Sequence, residues 1–305
     1  MADRVGTPDR AGGAGTAATG GTDPGATWTP ARRSEDAPSA PSLLLTLLGE
    51  FVLPGGGGAW TGAVVDAMSL LGVEEAASRQ ALARSSARGL LLAERVGRRT
   101  RWALTERATR LLTEGAERIY GFGAGGPEWD GRWLLVLTTV PEHTRHMRAR
   151  LRARMGWIGL GQAGPGMWVS PWADREGQAR AILEELDLAA GALSWVGRPG
   201  AMGSVEERVG EIWDLDSLAA EYERFTSAAT TPRPETPEEA FAALALLVHR
   251  WRHFPATDPG LPDQLLPPWW PARDAAAVFA ARRREWSSPA WAYWRSLRGP
   301  AAADG

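Results

Sequence analysis

Arginine is the residue type whose placement most clearly points to chemistry. Between Gly72 and Arg110 nine arginines stand against four acids, Glu74, Glu75, Glu94 and Glu106. A guanidinium is planar and permanently charged, and its forked donors meet phosphate oxygens or guanine O6 and N7 two at a time. The candidates are Ser78, Arg79, Gln80 and Arg84 on one predicted helix, and Arg98, Arg99 and Arg101 at or beside a predicted hairpin tip. Their types and spacing suit duplex DNA, with the helix reading bases and the hairpin holding the backbone. The plainer reading of each is a solvated face, although a hairpin tip has little structural use for Arg98 beside Arg99. A second basic cluster, Arg145, Arg148, Arg150, Arg152 and Arg154, lies in a stretch from Thr144 to Met155 that contains no acid.

Other chemistries are poorly supplied. The 305 residues contain no cysteine, and all 34 basic residues are arginine. Disulfides, thiol nucleophiles and cysteine-ligated metals are thereby excluded. Schiff-base lysines and P-loop phosphoryl transfer lack their lysine. The histidines are His143, His146, His249 and His253. His249 and His253 have the i, i+4 spacing of a metal pair, but no cysteine or matching carboxylate completes a site, so they read as a polar helix face. The nucleophile-elbow pattern of serine hydrolases does not occur. Gly121-Phe-Gly-Ala-Gly-Gly126 follows a predicted helix, not a strand, and reads as a hinge rather than a phosphate loop. No catalytic residue and no metal ligand is therefore assigned.

The elements that must position the arginines follow from local signals. Residues 1–40, rich in Gly, Ala, Thr, Pro and Asp, read as a disordered tail without an apolar targeting core. No stretch is long and apolar enough to span a membrane, and the expected location is cytoplasmic. In residues 41–120, Pro41-Ser42 opens a helix to Val52, and Pro54 with the glycines 55–58 stops it. Thr61 caps a second helix, Gly72 turns the chain, and a third helix runs from Glu74 to Arg88, closed by Gly89. Residues 90–96 and 100–104 alternate around Gly97-Arg98-Arg99 and read as a hairpin. Thr105-Glu106 then opens a further helix. Helix, turn, helix and basic hairpin is the winged helix-turn-helix order.

Residues 127–200 read as strand, helix, strand, helix, strand. The run Trp133–Val140 suits a central strand, Thr144–Met155 and Glu176–Leu186 suit helices, and 167–170 and 192–196 suit further strands. Residues 157–161 read as a short strand or turn. The pattern fits a ferredoxin-like domain with helices on one face. Residues 204–298 read as helical: 205–212 strand or loop, helix 215–225 capped by Asp214, a linker over 228–236, then helices 237–251, 272–286 and 290–297. The fold class is α+β multidomain. The net charge of −2 hides segregation, since residues 176–223 hold eleven acids and three arginines.

Three motifs stand in order on these modules: Trp129-Asp-Gly-Arg-Trp133, Gly166-Met-Trp-Val-Ser-Pro171, and Asp258-Pro-Gly-Leu-Pro262 ahead of Leu265-Leu-Pro267. With the wing segment Glu94–Thr100 they make the chain, over about 42–297, resemble the PaaX family, repressors of phenylacetic acid degradation operons. The resemblance implies a homodimeric, operator-binding repressor with no cofactor, released by phenylacetyl-CoA or a related acyl-CoA. Arg145, Arg148 and Arg152 are the candidate effector contacts, because acyl-CoA brings phosphates that guanidinium groups bind. Their alternatives are pairing with the acidic 176–223 stretch, or continuing the DNA surface. That family's middle module resembles the small ferredoxin-like nuclease of CRISPR adaptation, which relies on an acid at the end of its first strand. Here the strand ends Leu137-Thr138-Thr139-Val140, which implies a non-catalytic domain. A regulator with an unrelated effector, a winged helix that binds a protein partner, and an enzyme on the ferredoxin-like module stay open as alternatives.

Overall fold

The computed structural model describes residues 38–123, 128–201 and 204–297; most of the expected tail and residues 124–126 of the expected hinge lie outside the described residues. Helix α1 (Ala40–Leu47) carries Pro41 in its first turn, where a missing N–H costs nothing. It passes into a π turn over Leu48–Val52 that buries Glu50. Gly56 and Gly57 then adopt positive φ and reverse the chain. A strand follows that the sequence does not predict: β1 (Gly58–Trp60). Helices α2 (Thr61–Leu70) and α3 (Glu75–Ala87) meet at Gly72, whose φ of 77° only glycine adopts at little cost. Strands β2 (Leu91–Val96) and β3 (Arg99–Leu104) are joined by the two-residue turn Gly97-Arg98, with Gly97 at φ 59° as such turns favour. The sheet order is β1-β3-β2. β1 escapes the sequence reading because a glycine run reads as loop. It is a strand because its backbone pairs with β3, Gly58 opposite Ala103 and Trp60 opposite Arg101, and the Arg101 guanidinium lies over Gly58. Helix α4 (Glu106–Gly121) starts where expected, Thr105 Oγ1 accepting from Ala108 N at 3.1 Å.

The middle of the chain forms β4 (Trp133–Leu137), α5 (Met147–Trp157), β5 (Gly161–Gly164), β6 (Met167–Ser170), α6 (Glu176–Glu185) and β7 (Leu193–Gly197). The antiparallel order β5-β6-β4-β7 is the split βαβ arrangement of a ferredoxin-like domain. Leu134, Val136 and Trp168 pack under Leu151 and Met155 of α5 and Ile182 and Leu183 of α6. Trp133, Ala163 and Val169 face the other way, onto Val209, Leu215 and Leu261. Covered on both faces, β4 has the continuous apolar run of a central strand.

The last part is helical: α7 (Val209–Trp213), α8 (Leu215–Thr230), α9 (Pro237–Trp251), α10 (Phe254–Thr257) and α11 (Ala272–Leu297). Three expectations are corrected. Residues 205–212, read as strand or loop, form a tight turn and α7. α8 runs five residues beyond Phe225, into the predicted linker. The two predicted helices 272–286 and 290–297 are one, with Pro289 inside it. A proline there forfeits a backbone hydrogen bond. The helix persists because Phe279, Trp286, Ala290 and Trp294 form one buried face across the proline.

That face decides the architecture. α9 and α11 pack directly on α1, the π turn and α2, so the first and last thirds of the chain share a single core. Phe51 of the π turn lies 4.6 Å from Phe241 and 5.9 Å from Trp294, ring to ring. Trp251 Nε1 donates to Ile119 O at 3.0 Å, and Arg252 donates to Ser42 O at 3.1 Å. The Asp258–Pro262 loop fastens the middle part to this core. Trp172 Nε1 donates to Gly260 O at 2.6 Å, and a Cβ on Gly159 would come within 2.7 Å of Pro259 O.

Candidate nucleic-acid interface

Helix α3 turns its small apolar side inward: Ala81 and Leu82 are buried. Ser78 is buried with them, 1% exposed, its hydroxyl donating to Glu74 O at 3.1 Å. The structure thus places Ser78 beneath the surface on which Arg79, Gln80 and Arg84 are exposed. Gln80, Arg84 and Arg88 follow one another at i, i+4, i+8 and form a row. Arg88, at the C-terminal cap, is a member that the sequence reading omits. Ala76, Ala83 and Ala87 are also exposed, so the helix is slender enough for a groove about 12 Å wide. Arg79 is turned back onto Glu75 at 2.7 Å, an exposed ion pair that a phosphate can exchange at little cost.

The hairpin is anchored at its base and free at its tip. Trp102 Nε1 donates to Thr61 Oγ1 at 2.9 Å, and that hydroxyl donates to Thr100 O at 3.1 Å. The start of α2 therefore sets where the hairpin points. Arg98 occupies the turn and is exposed. Arg99 stacks over Trp60 of β1, its Cζ 4.4 Å from the ring centroid. Arg101 pairs with Glu94 at 2.8 Å and lies across Gly58, which holds it down on the sheet. Of the three predicted hairpin arginines, Arg98 and Arg99 sit at the tip and Arg101 on the sheet.

The second basic cluster is largely paired. Arg150 and Arg154 share Glu185 at 3.8 and 2.5 Å, and Arg145 and Arg148 share Glu142 at 4.0 and 2.6 Å. Arg152 donates to Gln162 Oε1 at 3.2 Å. Arg148 and Arg152 line a cleft of about 700 Å³ beside the end of β4, whereas Arg145 is not among its lining residues. The histidine pair diverges: His249 Nδ1 lies 3.1 Å from Thr46 Oγ1, and His253 Nε2 3.3 Å from Glu221. Burial, with Arg252 and Arg250 adding to it, holds His249 at about 4, below its ordinary 6.5, so it is neutral near pH 7. Among the described residues no cluster of three or more His, Asp or Glu side chains could hold a metal. No described helix is long and apolar enough to cross a membrane.

These features define an α+β protein with a Cas2-like central domain set between two parts that share a helical core. Three family models match in succession: PaaX-like protein over residues 39–108, the PaaX protein central Cas2-like domain over 126–209, and the PaaX-like protein C-terminal domain over 213–296. The chain belongs to the PaaX family. It is 31% identical over 248 residues to the transcriptional repressor PaaX of Escherichia coli (strain K12), covering 78% of this chain and 77% of that one. In fold it resembles the uncharacterized protein Rv0674 from Mycobacterium tuberculosis, with a TM-score of 0.58, 21% identity, and coverage of 85% of this chain and 98% of that one.

Proposed function

We propose that this chain is a DNA-binding transcriptional repressor of an aromatic-acid operon of the phenylacetate type, and not an enzyme. Residues 40–121 act as a winged helix-turn-helix. The observation that carries this reading is the exposed row Gln80, Arg84 and Arg88 on α3 together with the exposed Arg98 and Arg99 at the hairpin tip. Helix α3 enters the major groove. Gln80 suits adenine N6 and N7, and Arg84 suits guanine O6 and N7. Arg98 and Arg99 hold the phosphate backbone, with Trp60 keeping Arg99 extended. Ser78 takes no part.

Two copies act together in the cytoplasm. β7 is the edge strand of the middle sheet and exposes Leu193, Trp195 and Val196, an apolar edge of the kind that pairing covers. An aryl-acyl-CoA, phenylacetyl-CoA or a relative of it, releases the DNA by binding one conformation in preference to the other. The E. coli relative's role as a repressor supports this reading.

The deciding experiment is fluorescence anisotropy of the full chain with DNA from upstream of its own gene, in low salt, with and without phenylacetyl-CoA. Tight binding that the thioester reverses supports the whole reading. Absence of binding at low salt sinks the repressor. Binding indifferent to every acyl-CoA leaves the repressor and removes that effector.

A further inference from the structure

Thr61 and Trp60, at the junction of β1 and α2, grip β3 from its two faces. Successive residues of a strand point to opposite sides of the sheet. Trp60 lies opposite Arg101, so its ring shares a face with Arg101 and with the diagonal neighbour Arg99, whose Cζ stands 4.4 Å from the ring centroid. Trp102 points to the other face. There its Nε1 donates to Thr61 Oγ1 at 2.9 Å, and that hydroxyl donates onward to Thr100 O at 3.1 Å. A hydroxyl carries one proton and two lone pairs, so Thr61 serves both neighbours at once.

The hairpin offers little packing of its own to direct it. Beyond Leu91 every residue of β2 is exposed, so the hairpin is steered from the β1 side of β3. The same junction leads straight into α2, whose Val64 and Met68 share a core with Ala81 and Leu82 of α3. α2 is ten residues long, roughly 15 Å at 1.5 Å per residue, and sets a fixed length between the grip on the hairpin and the turn into α3.

We propose that Thr61 is a positioning residue for DNA binding, working with Trp60. Thr61 sets the direction of the hairpin relative to α3, and Trp60 sets the reach of Arg99. Together they decide how many phosphates Arg98 and Arg99 neutralise. Acting through those arginines, they govern affinity and its salt dependence and leave base selectivity to α3. The role rests on the repressor reading for its ligand, duplex DNA.

The test is fluorescence anisotropy of the full chain across a salt series, with DNA from upstream of its own gene and with random DNA. Thr61→Val keeps the shape of the side chain and removes the hydroxyl. It should reduce the slope of log affinity against log salt by roughly two, as loss of both tip arginines does, with the preference for the upstream DNA unchanged. Trp60→Leu should reduce the slope by roughly one, for Arg99 alone. Thr61→Ser keeps the hydroxyl and should restore the wild-type slope. Added to a chain already carrying Arg98→Ala and Arg99→Ala, Thr61→Val should cost nothing further, because the groups it positions are gone. A variant that merely folds less well loses affinity by one factor at every salt and keeps its slope. An unchanged slope in Thr61→Val, a reduced slope that Thr61→Ser shares, or a further loss on the double-arginine background overturns the positioning role. In each of those cases wild type still binds its DNA and the repressor stands. A wild type that binds no DNA at low salt sinks the repressor and the positioning role with it.

Discussion

The guanidinium of Arg283 on α11 lies 3.2 Å from the carboxylate of Glu50, which is buried in the π turn near the other end of the chain. Tyr120 of α4 donates its hydroxyl to the same carboxylate, and the Arg283 Cζ sits 4.0 Å over the Tyr120 ring. Burial and the Glu50 charge push the Tyr120 phenol well above its ordinary value, so it stays a donor. A buried carboxylate is tolerated only with such partners. Arg283→Met should therefore cost about 3 kcal/mol, the low end for breaking a buried pair, because Arg283 is itself partly exposed. Glu50→Gln should cost less, since an amide still pairs with Tyr120. Urea denaturation of the two variants checks the order, and an Arg283→Met loss under about 0.5 kcal/mol would remove the clamp from the account.

The hairpin tip should hold phosphates and the helix should read bases. Removing Arg98 and Arg99 together, as alanine, should lower the slope of log affinity against log salt by roughly two and weaken all sequences alike. Gln80→Ala or Arg84→Ala should instead cost about 1–3 kcal/mol on the operator and little on random DNA. Anisotropy across a salt series separates the two behaviours, and a double variant with an unchanged slope would take the tip off the DNA.

His249 makes stability depend on pH. Its folded value near 4 lies below the ordinary 6.5, so the unfolded chain takes up the proton first. The contribution is fully present above pH 6.5 and is lost progressively as pH falls toward 4. His249→Gln should flatten that part of the stability profile relative to wild type. Thermal melts of both proteins at steps between pH 7 and 4 give the difference, and parallel curves would contradict it.

The Asp258–Pro262 loop should behave as a strap. Asp258 accepts from the Tyr222 hydroxyl at 2.5 Å and from Gly260 N at 2.7 Å, which shapes the loop for Trp172. Trp172→Phe removes one bond across the junction and should cost about 1 kcal/mol. Asp258→Ala orphans the buried Tyr222 hydroxyl and should cost about 2 kcal/mol. Both should speed proteolysis within 258–271, and an Asp258→Ala chain that resists protease like wild type would refute the strap.

The elements were legible in the sequence where their causes are local. Gly72 and Gly97 mark turns because positive φ is a property of the residue itself. Thr105 marks a helix start because its side chain bonds within three residues. The run at β4 reads as a central strand because both its faces are covered. What long-range packing decides was not legible. Ser78 and Arg79 are neighbours of similar promise, and only the rotation of α3 against its core buries one and exposes the other. β1 exists because it pairs with β3, far along the chain. Pro289 stays inside α11 because Trp286 and Trp294 are buried on either side of it. The same holds for the basic cluster on α5. Sequence alone determined its charge, but tertiary contacts decided that Glu142 pairs with Arg145 and Arg148 and Glu185 with Arg150 and Arg154, and that Arg148 and Arg152 line one cleft. Charge and turn propensity belong to single residues, whereas neutralisation and enclosure depend on partners that only folding brings within reach.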